Sequence, residues 1–164
     1  MPVNQIAVER WSLVSPKPFA EIVAGLDEAL GHPDMREFWK RIAAASSWHD
    51  VEHVIRAAVG RSGFMEFTRF NHGQFLKMQQ GSSAPQIVRI VLGNPLIMKQ
   101  MAEHVPDAGS YAPVTVLIDE RPDGVHISYD RMASYLAAYG NLAALEVARV
   151  LDLKVEHLLT KIAS

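Results

Sequence analysis

The chain has 164 residues, with 16 Lys and Arg against 18 Asp and Glu, a formal net charge of −2, and no cysteine. This length predicts a single domain, and the balanced charge argues against binding to nucleic acid or to an anionic membrane. The lack of cysteine excludes disulfides, thiolate metal sites and cysteine nucleophiles. Neither a signal-peptide pattern nor an apolar run of the ~20 residues that span a membrane is present. We therefore expect a cytoplasmic protein.

The first sixty residues predict one strand and three helices. Residues 6–14 predict a strand with imperfect alternation, and amphipathic helices follow, with apolar faces that begin at Phe19, Met35 and Val51. Ser47, three residues before Asp50, has the spacing of a capping box at the start of the third helix.

The most informative stretch lies in the middle of the chain, where an apolar strand passes into a helix. Ile87–Leu92 is almost wholly apolar, as expected of a central strand. Gly93 permits the turn, Asn94 suits the N-cap, and Pro95 suits the first helical position. The backbone N–H groups at such a helix start attract anions, although most strand-to-helix turns bind nothing.

A second strand, residues 64–70, is expected to precede this one and to end beside a histidine. His72 follows the strand in a turn next to glycine, before a short helical segment over 74–78 and a mobile loop over 79–85. An imidazole in this position suits a general base, a hydrogen-bond donor or an axial ligand, whereas most lone turn histidines are none of these.

A β-hairpin is predicted around the turn Arg121–Gly124. In the register that we favour, Asp119 lies opposite His126, and the apolar residues of both strands share the other face. A tighter loop would instead place Asp119 opposite Ile127. The Asp119 and His126 pair is interpreted as a half-exposed ion pair, with a base–orienter dyad beside Ser128 as the alternative. No strand–elbow–helix motif accompanies it, so no catalytic triad is predicted.

Two helices are expected to close the chain. Asp130 is the predicted N-cap of a short helix over 131–138, and Asn141 is the predicted N-cap of a long helix over 141–163. Apolar residues cover much of the circumference of the long helix. It is therefore expected either at the centre of the core or in a dimer interface.

A further histidine motif, His49-Asp50-Val51-Glu52-His53, matches the H-x-x-E-H pattern of inverted zinc peptidases. Residues at i and i+4 share one face of a helix, so the spacing suits a metal ion. However, the apolar residues of this helix define the opposite face as the buried one. We therefore predict a solvated polar face and assign no metal site to the chain.

Several short motifs are spread along the chain, namely Gly63-Phe64, Asn71-His72, Gly93-Asn94-Pro95, Ala112-Pro113, and Gly124 followed by Ser128-Tyr129. Together they resemble the pattern of the bacterial domain-of-unknown-function 302 family over roughly residues 8–139. Asn71 stands where that pattern has aspartate, which weakens an acid–base role for His72. Residues 32–60 look like a helical insertion, and residues 141–163 look like a C-terminal extension.

The resemblance implies an α+β fold, with a TBP-like antiparallel sheet of about five strands and helices packed mainly on one face. It also implies a homodimer. The family has no assigned reaction, so the resemblance implies little about activity, and a fold does not determine a function.

Our leading hypothesis is a single, cytoplasmic, non-catalytic domain that dimerises and binds a small ligand. The ligand is expected between His72, the helix start at Asn94 and Leu96, and the loop at Tyr111. Three further candidates lie on the polar face of the sheet, namely Arg89, Asp119 and His126. No catalytic residue is assigned.

Two alternatives remain open from the sequence. In the first, His72 is the axial ligand of a haem, a metal ligand, or the acid–base residue of an enzyme. In the second, the protein is a structural dimer that recruits a protein partner through residues 32–60. Exposure of Trp39 or Trp48 would favour the second alternative.

Overall fold

The computed structural model describes residue 3 and residues 5–164, which form one antiparallel sheet and a set of helices. The strands are β1 (Arg10–Ser15), β2 (Met65–Asn71), β3 (Ile87–Gly93), β4 (Val114–Arg121) and β5 (Gly124–Asp130), in the spatial order β1-β5-β4-β3-β2. The helices are α1 (Phe19–Ala29), α2 (Met35–Ala44), α3 (Trp48–Ala58), α4 (Gly73–Gln80), α5 (Pro95–Ala102), α6 (Met132–Ala137) and α7 (Leu142–Ala163). The predicted α+β fold with a five-stranded antiparallel sheet and a long C-terminal helix is confirmed.

The sheet has two unlike faces, because successive side chains of a strand point in opposite directions. We call one the covered face; its residues Ile90, Val116 and Ile127 are fully buried in one cluster with residues of α1, α5 and α7. We call the other the open face; its residues, which include Arg89 and Ser128, are mostly exposed or half-buried.

The strand pairing reproduces the register that was predicted for the hairpin. Asp119 lies opposite His126, Ile118 opposite Ile127, and Val116 opposite Tyr129. The alternation of apolar and polar residues specified this register, because a slip of one residue would have moved the apolar side chains to the open face.

The long helix α7 lies at the centre of the core, which is one of the two positions that the sequence predicted for it. Ala148, Leu151, Val155 and Leu159 are buried in the cluster that covers the sheet. Asn141 caps the helix as predicted, since its side chain accepts a hydrogen bond from the Ala144 N–H at 2.9 Å.

The predicted N-cap of α6 is wrong. Asp130 does not cap this helix but pairs with Arg10 of the neighbouring strand at 2.7 Å. The buried carboxylate of Asp152, in α7, accepts instead the N–H groups of Met132 and Ala133 at 2.8 and 3.0 Å. The first turn of α6 is therefore capped by a residue about twenty positions away, which no local motif reveals.

Helices α2 and α3 fill most of residues 32–60 and form a smaller apolar cluster with the start of β2. Phe38, Val54 and Ile55 are buried around Met65. Gly31 anchors this region to the sheet, because its N–H donates to Phe64 O and its carbonyl accepts from the Glu66 N–H, both at 2.9 Å. A Cβ at Gly31 would lie only 1.9 Å from the Ala58 carbonyl oxygen, so this close approach of two backbones requires glycine.

None of the helices in residues 5–164 combines the length and the apolar character that crossing a membrane requires.

Candidate functional site

An apolar cavity of about 260 Å³ lies where β3 ends and α5 begins. Its wall is formed by residues from five separate parts of the chain, which include Trp39, Phe67, Asn94, Met98, Met101 and Leu151. Cavities of this character, apolar with few polar groups, are typical of sites for small ligands. The cavity is therefore the candidate site of this protein.

A β-bulge in β2 supplies one wall of the cavity. The pairing of β2 with β3 shifts between Glu66 and Thr68, so Phe67 has no partner across the ladder. Bulges turn a side chain away from the regular alternation, and here Phe67 lies against the cavity. Phe67 was not among the residues predicted to form the site. The spacing of three between Phe64, Phe67 and Phe70, which breaks the alternation of a strand, is the signal that could have found it.

Trp39 forms part of the mouth of the cavity and was likewise not placed at the predicted site. It belongs to α2, its ring contacts Phe38 edge to face at 5.0 Å between centroids, and 53% of the residue is exposed. Met98 and Met101 of α5 also line the cavity, and Met101 is fully buried.

Asn94 caps α5 as predicted, and both ends of its amide are occupied. The Oδ1 atom accepts from the Leu96 N–H and the Nδ2 atom donates to the Gly63 carbonyl, both at 2.9 Å. The N–H groups of Ile97 and Met98 bond to the Asn94 carbonyl. The Leu96 N–H is therefore not free for an anion, contrary to our expectation. The Leu96 side chain packs on the α2–α3 cluster.

His72 does not share a pocket with Asn94. Strands β2 and β3 are antiparallel, with Asn71 opposite Val88 and Met65 opposite Gly93. His72 and Asn94 consequently lie at opposite ends of the sheet, roughly 20 Å apart at ~3.4 Å per residue. The expectation that these turns form one site is corrected by this geometry. His72 is exposed and stacks on Phe70 with 6.0 Å between ring centroids.

Tyr111 lies at the Asn94 end of the sheet, next to a cavity residue, Ala112. Its ring stacks on Tyr135 with 4.5 Å between centroids, and its hydroxyl is 2.7 Å from that of Tyr139. This hydrogen bond raises the pKa of Tyr139 to about 12. Tyr111 is thus engaged with two other tyrosines beside the cavity.

Each of the three candidates on the open face has a partner on the same face or in the hairpin turn. The guanidinium of Arg89 lies 5.5 Å from the centre of the Phe70 ring. Although Asp119 and His126 are cross-strand neighbours, Asp119 pairs with Arg121 at 2.6 Å and His126 bonds to Asp123.

The bond from His126, 2.8 Å long, lowers the pKa of the Asp123 carboxyl. Both interpretations of Asp119 and His126, the half-exposed ion pair and the base–orienter dyad, are therefore wrong, because each side chain bonds to a residue of the hairpin turn.

The H-x-x-E-H motif forms a solvated helix face, as predicted. His49 and His53 are exposed, and Glu52 pairs with Arg56 at 3.7 Å.

A second cluster of potential metal ligands consists of Asp27, His32 and Glu66. Arg69 binds both carboxylates of this group, with Glu66 at 2.6 Å, so a guanidinium already supplies the positive charge. We assign no metal site to these residues.

The fold and the cavity define a single-sheet α+β domain with an apolar pocket at one end of the sheet. A model of the DUF302 family, a domain of unknown function, matches residues 40–162, which is more than half of the chain. The chain therefore belongs to the DUF302 family, and the predicted family is confirmed. The match reaches into the long helix α7, beyond the residues 8–139 over which the resemblance was expected.

A solved structure has the same fold. It is the crystal structure of an uncharacterised conserved DUF302 protein from Bacillus stearothermophilus, which is 11% identical. The similarity covers 94% of this chain and 98% of that chain, with a TM-score of 0.64. No curated protein matches the chain.

Proposed function

We propose that this protein binds a small, uncharged, apolar molecule in the cavity beside Asn94. The observation that carries the proposal is the composition of the wall, in which aromatic, methionine and aliphatic side chains surround the polar Asn94. Because both ends of the Asn94 amide are already hydrogen-bonded, this residue offers little to a charged ligand. An ion in such a cavity would be desolvated without compensation.

Two features of the wall suit a ligand rather than a tightly packed core. Met98 and Met101 have flexible, polarisable side chains that adapt to ligands of different shape. Trp39 lies at the solvent boundary on the short helix α2, so its ring covers a bound molecule while leaving a path for entry.

Native mass spectrometry of freshly purified, untagged protein is the first test, and a retained apolar mass is the expected result. The second test is thermal unfolding with naphthalene, and with 1-naphthalenesulfonate as its charged counterpart. We expect naphthalene to raise the unfolding midpoint and the sulfonate to have little effect.

A matched pair of variants locates the binding. Met98→Trp fills the cavity, whereas Met78→Trp makes the same change on α4 at a residue that is 84% exposed. Stabilisation by naphthalene should disappear in the first variant and persist in the second. Equal stabilisation of both variants, or none in the parent protein, would overturn the proposal.

The homodimer is a further part of the proposed function, with the open face as its interface. Phe70 and Val14 expose apolar side chains on this face, 44% and 47% respectively. The same face carries the oppositely charged Arg10 and Asp130 towards its β1 edge, so it can complement a second copy of itself. Light scattering on Phe70→Glu tests this interface: we expect a dimer in the parent protein and a monomer in the variant.

We also propose a cytoplasmic location, which the cysteine-free sequence supports.

Recruitment of a protein partner through residues 32–60 is the second candidate function. Its support is the exposure of Trp39 and Trp48, 53% and 49% respectively. Trp39, however, belongs to the cavity mouth, and the Lys99 ammonium lies 5.5 Å from the Trp48 ring. We therefore favour the small ligand.

The haem or metal alternative has His72 as its one proposed ligand, at the opposite end of the sheet from the cavity. An absorption spectrum of the purified protein tests it.

A further inference from the structure

A groove of about 520 Å³ lies between α1, α7 and the turn at Arg61-Ser62, and it shares no residue with the apolar cavity. Its apolar floor includes Gly25, Leu158 and Ile162. Its rim carries the basic side chains Lys17, Arg61, Lys154, His157 and Lys161. The groove thus combines an apolar floor with a basic rim.

The charge of the groove is opposite to that of the chain as a whole. Four of the 16 Lys and Arg residues line it, together with the acidic Glu21, although the chain carries a net charge of −2. Arg61 is paired with Glu28 at 3.2 Å. Within residues 5–164, neither Lys154 nor Lys161 has a carboxylate within 4 Å. The positive charge of these two lysines is therefore not neutralised by the fold.

Stabilisation of the C-terminal end of α7 explains the position of only some of these basic residues. Lys17 Nζ donates to the Ile162 carbonyl at 3.0 Å, and Lys161 lies in the last turn of α7, so both stabilise the negative end of that helix. Lys154 and His157 lie further from the helix end, where this effect has faded. Lys154, His157 and Lys161 follow the i, i+3, i+7 spacing of one helix face, so all three line the groove and bring two ammonium groups to it.

The floor of the groove is shaped by a close contact between α1 and α7. A Cβ at Gly25 would lie 3.0 Å from Cγ2 of Ile162, so the absence of a side chain at Gly25 lets the two helices approach. The floor therefore offers an apolar surface directly beside the lysines of the rim.

We propose that this groove is a binding site for an anionic amphiphile, namely a phosphate monoester with an apolar tail. The ammonium groups of Lys154 and Lys161 hold the phosphate by charge-assisted hydrogen bonds. The tail lies over Leu158 and Ile162. The site is separate from the cavity beside Asn94. A negative result for one of the two proposals therefore leaves the other unaffected.

Calorimetric titration with octyl phosphate tests the proposal. Lys154→Gln/Lys161→Gln is compared with Lys40→Gln/Lys77→Gln, which removes the same charge from exposed residues of α2 and α4. Saturable one-to-one binding to the parent protein is expected. The groove variant should bind at least about tenfold more weakly, as expected for the loss of hydrogen bonds to a charged group, and the control variant should bind unchanged.

Inorganic phosphate and octanol separate the roles of the head and the tail, and both should bind more weakly than octyl phosphate. Vesicles of phosphatidylglycerol test the other source of the same chemistry. Binding to vesicles that is lost in the groove variant, without binding of octyl phosphate, would overturn the proposal in favour of a membrane surface. Equal weakening in both variants, or no saturable binding, would show only non-specific attraction and would also overturn it.

Discussion

The two faces of the sheet are built from the same five strands, yet different interactions hold them. On the covered face, fully buried aliphatic residues such as Ile90 and Ile127 pack against the helices. On the open face, side chains meet in pairs at the surface, for example Arg10 with Asp130. The difference shows that burial stabilises this fold mainly from one side of the sheet, which leaves the residues of the other side available for contacts with other molecules.

The largest expected effect on stability is a difference between two neighbouring residues of β3, whose side chains point to opposite faces of the sheet. Ile90→Ala should reduce the free energy of unfolding by about 3–4 kcal/mol, because it leaves a cavity in a fully buried site. Val91→Ala, on the half-buried open side, should cost about 1 kcal/mol or less. Urea denaturation of both variants measures the contrast, and similar losses would contradict the division of the sheet into two faces.

The next effect concerns Asp152, a charged residue of the covered side. Its carboxylate accepts from the Tyr129 hydroxyl at 2.6 Å and from two N–H groups of α6. Asp152→Ala should cost about 3 kcal/mol, because several buried donors lose their acceptor. Asp152→Asn keeps an acceptor oxygen and should cost less. If both substitutions had the same small cost in urea denaturation, the carboxylate would not be holding α6 in place.

A smaller effect on stability is expected from the protonation of Asp152. Burial raises the pKa of the Asp152 carboxyl, against the opposing effect of its hydrogen bonds. The folded state therefore binds the proton more tightly than the unfolded state, whose carboxyl has a pKa of about 3.9. The stabilisation from this group is full below that pH and declines as the pH rises through the folded value.

The free energy of unfolding of the parent protein minus that of Asp152→Asn should accordingly be largest below about pH 4 and fall as the pH rises above it. Urea denaturation at each pH measures this difference. A rising difference would show that the hydrogen bonds outweigh the burial.

The smallest effect is expected on the open face. Asp130→Asn breaks the pair with Arg10, whose side chain is 66% exposed, and should cost about 0.5 kcal/mol or less. High salt should reduce even this difference, because exposed pairs are screened. A cost comparable to that of Ile90→Ala in the same denaturation experiment would mean that the open face also contributes to the stability of the core.

Much of the local structure was predictable from the sequence, because its causes lie within a few residues. Asn94 caps α5 and Pro95 begins it, as the order of residues required. The hairpin register followed from alternation on both sides of a short turn. In each of these cases, the residues that determine the structure are neighbours in the chain or in a tight hairpin.

The candidate site was predictable only in part. Asn94 lies at the cavity, but His72 lies at the other end of the sheet because β2 and β3 run in opposite directions. Trp39 and Phe67 were missed for different reasons. A helix distant in sequence brings the first to the cavity, and a bulge turns the second towards it.

The sequence by itself determined the elements, the apolar face of each strand and the family, since these depend on local preferences and on spacing. The tertiary structure decided which distant residues meet. Asp152 rather than Asp130 caps α6, and residues of α2, β2, α5 and α7 enclose one apolar cavity. The physical reason is that such contacts depend on the order and direction of packed elements, which periodicity along one segment does not encode.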